Sequence, residues 1–311
     1  MNQFFINFFT VFVQVLILFV FIGCGFIGAK RKFITKEGSK VISDIILYFV
    51  TPCLIINSLS ISFDKSKFLG LIICLGAFMI IQIVSVFISH LIFGKGSDKT
   101  LRILRFATVF SNVGYMGIPL QKAVLGDEGV FYGSVCVAAF NIFVWTYGVV
   151  CQSGDRRKMS PKGLLLNPGI IAVTIGLILF LFSIKLPLPI ASAIEGMAAL
   201  NTPLAMMVIG FNLAGSNVLA ALKNKKVYIV AALRLIAIPI VSLFALYLCG
   251  VRGIMLISLV IASSAPTAAV TTVFSVKYDN DTELSVNLVA FTTLLSIVTM
   301  SAVVALARIL P

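Results

Sequence analysis

Long apolar stretches separated by short polar segments dominate the chain from one end to the other. A run such as LGLIICLGAFMIIQIVSVFI is apolar on every side of a helix and lacks the alternating polar positions of a membrane β-strand. Because a helix needs about 20 apolar residues to cross the hydrocarbon core of a bilayer, each such stretch predicts one crossing. The ten predicted transmembrane helices cover residues 4–28, 41–61, 68–93, 106–125, 130–151, 169–186, 190–214, 227–250, 253–276 and 284–308.

Composition gives the same picture of an all-α membrane protein. Of the 311 residues, 60% are hydrophobic and 11% are charged, and the mean hydropathy is +1.12. Typical soluble domains carry about 25% charged residues. The first apolar stretch lacks a basic start and is too long for a signal-peptide core, so we expect it to remain as the first helix.

The distribution of basic residues predicts the orientation of the chain. The formal net charge is +13, but the basic residues are spread over short loops and do not indicate a nucleic-acid-binding domain. Seventeen of the 24, among them Lys95 and Arg105, lie in loops after odd-numbered predicted helices, whereas six lie on the opposite side. The positive-inside rule therefore predicts a multi-pass plasma-membrane protein with these loops in the cytoplasm and both termini outside.

Residues suited to enzymatic or metal chemistry are sparse. The six cysteines form no C-x-x-C pair, which argues against a disulfide framework or a zinc site. His90 is the only histidine and cannot by itself supply the H-E-x-x-H motif of a zinc protease. It falls at the cytoplasmic end of the third predicted helix, where an interfacial role is favoured over a proton relay. We expect no enzyme, no cofactor and no metal.

Two short signals recur at nearly the same spacing and predict an internal repeat. They are Thr51-Pro52 and Thr202-Pro203, 151 residues apart, and the acidic turns at Asp127 and Asp279, 152 residues apart. The halves, 1–155 and 156–311, then contain five helices each, and an odd number of crossings inverts the second half. The alternative is coincidence, because Thr-Pro pairs are common.

Helix-breaking residues interrupt the fourth and ninth predicted helices near the middle of the membrane. The two stretches read FATVFSNVGYMGIPLQKAV and LVIASSAPTAAVTTVF. Proline has no amide hydrogen, and each glycine weakens a helix by about 1 kcal/mol, so we expect neither helix to be continuous. A shift of 152 residues carries Asn112 to Ser264, which places both breaks at matched depth. The residues concerned are Asn112, Gly114, Gly117, Pro119, Ser263, Ser264, Pro266 and Thr267.

A break inside a membrane is tolerated only where it is buried in protein or lines a watery cavity. Each break also creates a half-helix N-terminus, whose free amides and partial positive charge favour an anion such as a carboxylate. Hydroxyl and amide side chains at the breaks are therefore candidate substrate-binding groups. The alternative is that the prolines are kinks used for close helix packing. No carboxylate is predicted at the bilayer midplane, since Asp44 and Glu195 lie near the helix starts.

The motif S-N-V-G-Y-M-G-I-P-L, followed by an acidic turn and later by S-S-A-P-T-A-A-V, resembles the auxin efflux carrier family. That family includes plant PIN-type carriers and bacterial permeases associated with malate and malonate. The resemblance implies a scaffold of helices 1, 2, 6 and 7 and a transport domain of helices 3–5 and 8–10. It also implies that helices 4 and 9 cross at Asn112, Pro119 and Pro266, with elevator-type transport by a homodimer. The ninth stretch departs from the family pattern because it lacks glycines.

Other polar residues inside the predicted helices have two interpretations each. Arg234 is either a counter-charge for an anionic substrate or a side chain that snorkels to the cytoplasmic surface. Asn141 and Asn287 either bind substrate or form interhelical hydrogen bonds. The Thr-Pro residues Thr51, Pro52, Thr202 and Pro203 either line the scaffold side of the cavity or satisfy backbone groups that the kinks free.

The sequence as a whole predicts a secondary active or facilitative carrier of a small organic anion, such as malate, malonate or an auxin-like acid. Its expected partners are that anion, the lipid bilayer and a second copy of the chain, and no nucleic acid is expected. A channel, or a sensor that binds the anion without moving it, is the alternative on the same fold.

Overall fold

Helices make up almost all of the regular structure. The computed structural model describes residues 2–94, 96, 98–159, 161–216 and 222–310. Lys95, counted above among the basic loop residues, lies outside the described part. The all-helical prediction is confirmed for the described residues, since no strand is assigned there and a single isolated β-bridge joins Ser111 to Thr267.

The helix bounds follow the predicted apolar stretches closely. The first group comprises α1 (Asn2–Lys30), α2 (Lys36–Leu59), α3 (Lys65–Phe93), α4 (Lys99–Val109) and α5 (Val113–Ser153). After a short helix α6 (Pro161–Leu165) come α7 (Pro168–Leu181), α8 (Leu188–Ala214) and α9 (Lys225–Leu248). The chain continues with α10 (Gly253–Ser264), α11 (Val270–Lys277) and α12 (Thr282–Ala307). Gly126 is non-helical, with φ 69°, and divides α5 into arms 113–125 and 127–153.

Seven helical segments within the described residues are long and apolar enough to cross a membrane, namely α1, α2, α3, α5, α8, α9 and α12. The shorter apolar helices α7 and α10 contain 14 and 12 residues. Many of the exposed side chains on these helices are large and apolar, such as Phe9 and Val20 on α1 and Ile80 and Phe87 on α3. Side chains of this kind are stable against lipid tails, so the chain is a multi-pass membrane protein.

Three prolines inside helices are each preceded by a wider π-helical turn. The turns are Ile46–Val50, Val113–Gly117 and Leu233–Ala237, before Pro52, Pro119 and Pro239 respectively. In each case the amide just before the proline donates to the carbonyl five residues earlier, as Ile118 does to Val113. This shift accommodates a residue that cannot donate, and the helix continues. The prediction that Pro119 breaks the helix is therefore wrong, because the interruption lies N-terminal to Val113.

Close backbone contact joins α1 to the C-terminal half of α8. A Cβ added at Gly210 would lie 1.9 Å from the carbonyl oxygen of Ile22, and one added at Gly25 would lie 2.0 Å from that of Met207. Small residues of this kind let membrane helices pack through their backbones. Elsewhere, α2 packs against both α7 and α8, so α1, α2, α7 and α8 form one connected group.

An apolar cluster then connects these helices to the interrupted ones. Val15 of α1 and Ile209 of α8 pack in one buried cluster with Met116 and Leu120 of α5 and with Ile261 of α10. The first arm of α5 and the end of α10 are thus held against α1 and α8 by apolar contacts alone in this cluster.

The α1–α8 contact generates a stability prediction. Gly210→Ala should lower the free energy of unfolding by about 1–3 kcal/mol, because the added methyl group forces two backbones apart. Gly196→Ala is the matched control, since a Cβ there meets nothing within 4 Å. Thermal unfolding of the detergent-purified variants measures both, and equal midpoints for the two variants would contradict the close contact.

Candidate functional site

Two helix interruptions meet inside the protein and pair with each other through backbone hydrogen bonds. The first lies between α4 and α5, and the second between α10 and α11. The amide of Asn112 donates to the carbonyl of Pro266 over 2.7 Å, and the amide of Ala268 donates to the carbonyl of Phe110 over 2.9 Å. We call this antiparallel pair, residues 110–112 and 266–268, the crossover. It gives partners to backbone groups that would otherwise be unpaired at this depth.

The local sequence explains why each helix ends where it does. Pro266 cannot donate, and it disfavours helical geometry in the preceding residue. Ala265 accordingly has ψ 146°, and α10 ends at Ser264. In the other segment Phe110 is extended and Asn112 has φ −77° and ψ 55°, with the Asn112 carbonyl accepting from Met116 and Gly117.

The register of the crossover differs from the predicted correspondence between the two segments. An exchange of the two segments that places Asn112 on Ala268 and Phe110 on Pro266 turns each of the two hydrogen bonds into the other. A shift of 152 residues instead carries Asn112 to Ser264, which lies at the end of α10 and outside the pairing. The Thr-Pro spacing therefore does not set the register at the interruptions.

Arg234 binds the ends of both interrupted helices. Its side chain is 1% exposed and lies on the π-turn of α9. One guanidinium nitrogen, Nη1, donates to the carbonyls of Thr108 and Val109 at the end of α4, each over 3.1 Å. The other, Nη2, donates to the carbonyl of Ser263 at the end of α10. Of the two interpretations of Arg234, the one in which its side chain snorkels to the cytoplasmic surface is wrong, because the side chain is buried.

This geometry places a positive charge at the negative ends of two helix dipoles. The C-terminal carbonyls of a helix carry a partial negative charge, and a cation near them is stabilising. Because Arg234 binds the C-terminal carbonyls of both α4 and α10, it fixes the two helix ends relative to each other. The N-terminal ends of α5 and α11 lie across the same interruptions, and their partial positive charge is not offset by this side chain.

Unpaired polar atoms are concentrated on the elements that meet at the crossover. The side-chain Nδ2 of Asn112 is buried and makes no hydrogen bond with the described residues, and the same holds for the hydroxyls of Ser111, Thr271 and Thr293. Buried polar groups are normally paired, so each unpaired one is a position for an ordered water or a ligand. The sequence analysis identified Asn112 but not the three hydroxyls. The sequence signal for Ser111 was its place in the motif, and the signal for Thr271 and Thr293 was a Thr-Thr pair within an apolar stretch.

The other hydroxyls predicted for the site have partners within the protein. Ser263 donates to the carbonyl of Val260 and Ser264 donates to that of Ile261. Thr267 lies in the crossover itself and donates to the carbonyl of Ala107 over 3.1 Å. The hydroxyl donors of Ser263 and Ser264 are thus used within α10, and that of Thr267 joins the crossover to α4.

Open space lies beside Gly114. A Cβ added there meets no atom within 4 Å, whereas one added at Gly117 meets the side chain of Val113 at 3.5 Å. Gly114 is two residues from Asn112, and Pro119 lies further along the same arm of α5. Asn112 is 5% exposed, so a ligand reaches its side chain only after the surrounding elements move.

Asn141 and Asn287 have different surroundings. Asn141 Nδ2 donates to the carbonyl of Val137 in its own helix and lies near Gly169 at the start of α7. Asn287 lines a cleft of about 330 Å³ together with Thr100, Asn224 and Lys226. The structure thus places one predicted residue at the contact with α7 and the other in a separate cleft.

The two Thr-Pro signals meet through a neighbour that sequence reasoning missed. The hydroxyl of Thr51 donates to Oδ1 of Asn201 over 3.1 Å. Asn201 directly precedes Thr202-Pro203, and its buried Nδ2 makes no hydrogen bond with the described residues. Pro52, Thr202 and Pro203 are half-buried.

An exposed acidic side chain lies within electrostatic range of the first arm of α5. It belongs to Asp44 on α2, and the side chain that it affects is Tyr115.

Interrupted helices that meet inside a multi-pass helical protein, with unpaired polar groups beside them, are typical of membrane transporters. Comparison with known families makes this specific, because the family described as Membrane transport protein matches residues 10–161 and 155–304. The chain belongs to this family, and the predicted membership of the auxin efflux carrier family is confirmed.

Individual relatives agree with this membership. An uncharacterized transporter of Methanocaldococcus jannaschii is 23% identical over 92% of this chain and 96% of its own length. Auxin efflux carrier component 1 of Arabidopsis thaliana is 30% identical, but over only 38% of this chain and 20% of its own length. A Rhizobium meliloti protein provisionally named a malonate transporter is 26% identical over 65% of this chain and 66% of its own length.

The contacts of Arg234 generate a second prediction. Arg234→Met should lower the free energy of unfolding by about 1–3 kcal/mol for each carbonyl left without a donor. Arg234→Lys should lower it less, because lysine keeps the positive charge. The exposed Arg31 provides the control variant Arg31→Met. Thermal unfolding compares the three, and an Arg234→Met midpoint equal to that of Arg31→Met would show that the helix ends do not depend on this side chain.

Proposed function

We propose that the protein is a carrier that moves a small carboxylate across the membrane by alternating access around the crossover. The observation that carries this proposal is the buried, unpaired Nδ2 of Asn112 at the N-terminus of α5. An amide donor and the positive end of a helix dipole together favour a carboxylate. Family membership and the relative named for malonate support the same class of substrate.

The architecture proposed for this function is ten crossings in two inverted halves, 1–155 and 156–311. Under it α4 with the first arm of α5 forms the fourth crossing, the second arm forms the fifth, and α10 with α11 forms the ninth. Packing supports the two-fold relation, since α1 contacts α8 while α2 contacts α7, and exchanging the halves converts one pair into the other. The reciprocal hydrogen bonds of the crossover have the same symmetry.

The proposed movement is that of a transport domain against a scaffold. The scaffold would consist of α1, α2, α7 and α8, and the transport domain of the remaining membrane helices. Apolar contacts such as those of Met116 and Leu120 with α1 and α8 support sliding, because they contain no hydrogen bond that must break. We further propose that the protein lies in the plasma membrane with both termini outside, and that two copies form a homodimer through the scaffold.

Asn112 provides the direct test. In proteoliposomes Asn112→Ala should raise the KM for radiolabelled malonate by roughly tenfold or more, the effect of losing a hydrogen bond to a charged group. Asn212→Ala is the control, since Asn212 is also on a membrane helix but exposed.

The experiment also separates the competing functions. Saturable uptake with accelerated exchange against internal malonate supports a carrier, linear uptake indicates a channel, and tight binding without flux indicates a sensor. Unchanged kinetics in Asn112→Ala, for a substrate that the protein transports, would remove Asn112 from the site.

Arg234 further suggests how transport is energised. Carbonyls at half-helix C-termini are a common position for a coupling sodium ion in carriers with interrupted helices. Here the carbonyls of Thr108, Val109 and Ser263 accept from the guanidinium of Arg234 instead. A fixed cation therefore occupies the position, and the proposed cycle needs no sodium there.

Malonate uptake should accordingly be the same with sodium or potassium chloride on both sides of the vesicle membrane. Uptake that requires sodium would contradict this assignment of Arg234 while leaving the anion site intact.

A further inference from the structure

A second positively charged pocket lies on the side of α4 that faces the loop before it. Its volume is about 220 Å³. It is enclosed by the end of α3, by α4 and by the last turns of α5, and it contains Arg102, Arg105 and His90. None of the crossover residues lines it, although Tyr147 in its lining packs against Phe110 of the crossover, with ring centroids 6.2 Å apart.

Arg105 is the unusual member of this pocket. Its side chain is 6% exposed, and both Nε and Nη2 are buried without a hydrogen bond to any described residue. Buried guanidinium nitrogens without partners are disfavoured, and an anion beside Nε and Nη2 would satisfy them. Arg234, which is also buried, is by contrast bonded to three carbonyls, and only its Nε has no hydrogen bond to a described residue.

Arg102 adds a second guanidinium to the same space. Its Nη1 donates weakly to the carbonyl of Gln152 over 3.4 Å. Its Nη2 lies against Gly154, where an added Cβ would be only 2.4 Å away and where φ is +72°. A glycine at this position therefore makes room for the guanidinium at the pocket.

No carboxylate among the described residues lining the pocket neutralises these charges. Asp155, next to Gly154, accepts hydrogen bonds from the backbone and the side chain of Arg157. Asp98, four residues before Arg102, is exposed and does not line the pocket. Nδ1 of His90 lies 3.0 Å from the carbonyl oxygen of Val86 in the same helix, so this ring nitrogen has a partner outside the pocket lining.

We propose that this pocket binds a small oxyanion, with a phosphate group held by the guanidinium groups of Arg105 and Arg102. Arginine donors fit the oxygen geometry of phosphate in a bidentate manner. The volume is below the roughly 300–1,000 Å³ of sites for drug-sized ligands, which limits the occupant to a small ion or a single headgroup. The site is independent of the proposed transport function.

Phosphate binding by the full-length protein tests the proposal. In detergent, inorganic phosphate should raise the thermal unfolding midpoint in a saturable manner, because ligand binding stabilises the folded state. Arg105→Gln should weaken the apparent affinity roughly tenfold or more, and Arg102→Gln should also weaken it. Arg156→Gln, at an exposed basic residue in the following loop, should leave it unchanged.

Nanodiscs with and without phosphatidic acid identify the source of the phosphate group. Stabilisation by inorganic phosphate in detergent supports a free anion, and Arg105-dependent stabilisation only by phosphatidic acid supports a lipid headgroup. Absence of both effects, or effects equal in Arg105→Gln, Arg102→Gln and Arg156→Gln, would overturn the proposal. The Arg102 variant keeps the test valid if Arg105→Gln fails to fold.

Discussion

Backbone hydrogen bonding in the absence of water is the constraint on which the rest of this structure depends. An interrupted helix inside a membrane exposes amides and carbonyls that cost several kcal/mol if left unpaired. The protein meets this demand by pairing one interruption with the other and by directing Arg234 to the remaining carbonyls. Neither interruption satisfies its groups alone, so the two halves of the chain are joined at this point.

The same arrangement separates charge along the interrupted helices. The negative ends of α4 and α10 are occupied by a fixed guanidinium, while the unpaired side-chain amide of Asn112 lies at the positive end of α5. A site of this kind favours an anionic guest over a cationic one. This asymmetry connects the fold to the proposed carboxylate transport and explains how a chain with few internal acidic groups can still form a charged site.

Much of the fold could be predicted from the sequence because the bilayer demands long apolar helices, and these are visible in the chain. The interruptions were also visible as Pro266 and as the S-N-V-G motif. The effect of Pro119 was not, because a π-turn accommodates it. The partners of Arg234, the exact register at Asn112 and the role of Asn201 depend on contacts between distant segments, which no local pattern encodes.

Accessibility of Gly114 tests the central claim most directly, since that claim requires the first interruption to face a watery cavity that opens during transport. Gly114→Cys, in a variant whose six native cysteines are replaced, should react with a membrane-impermeant charged thiol reagent, because open space lies beside this position. Malonate should protect it from reaction. A cysteine that reacts only with membrane-soluble reagents, with or without malonate, would place the interruption against lipid and contradict the account.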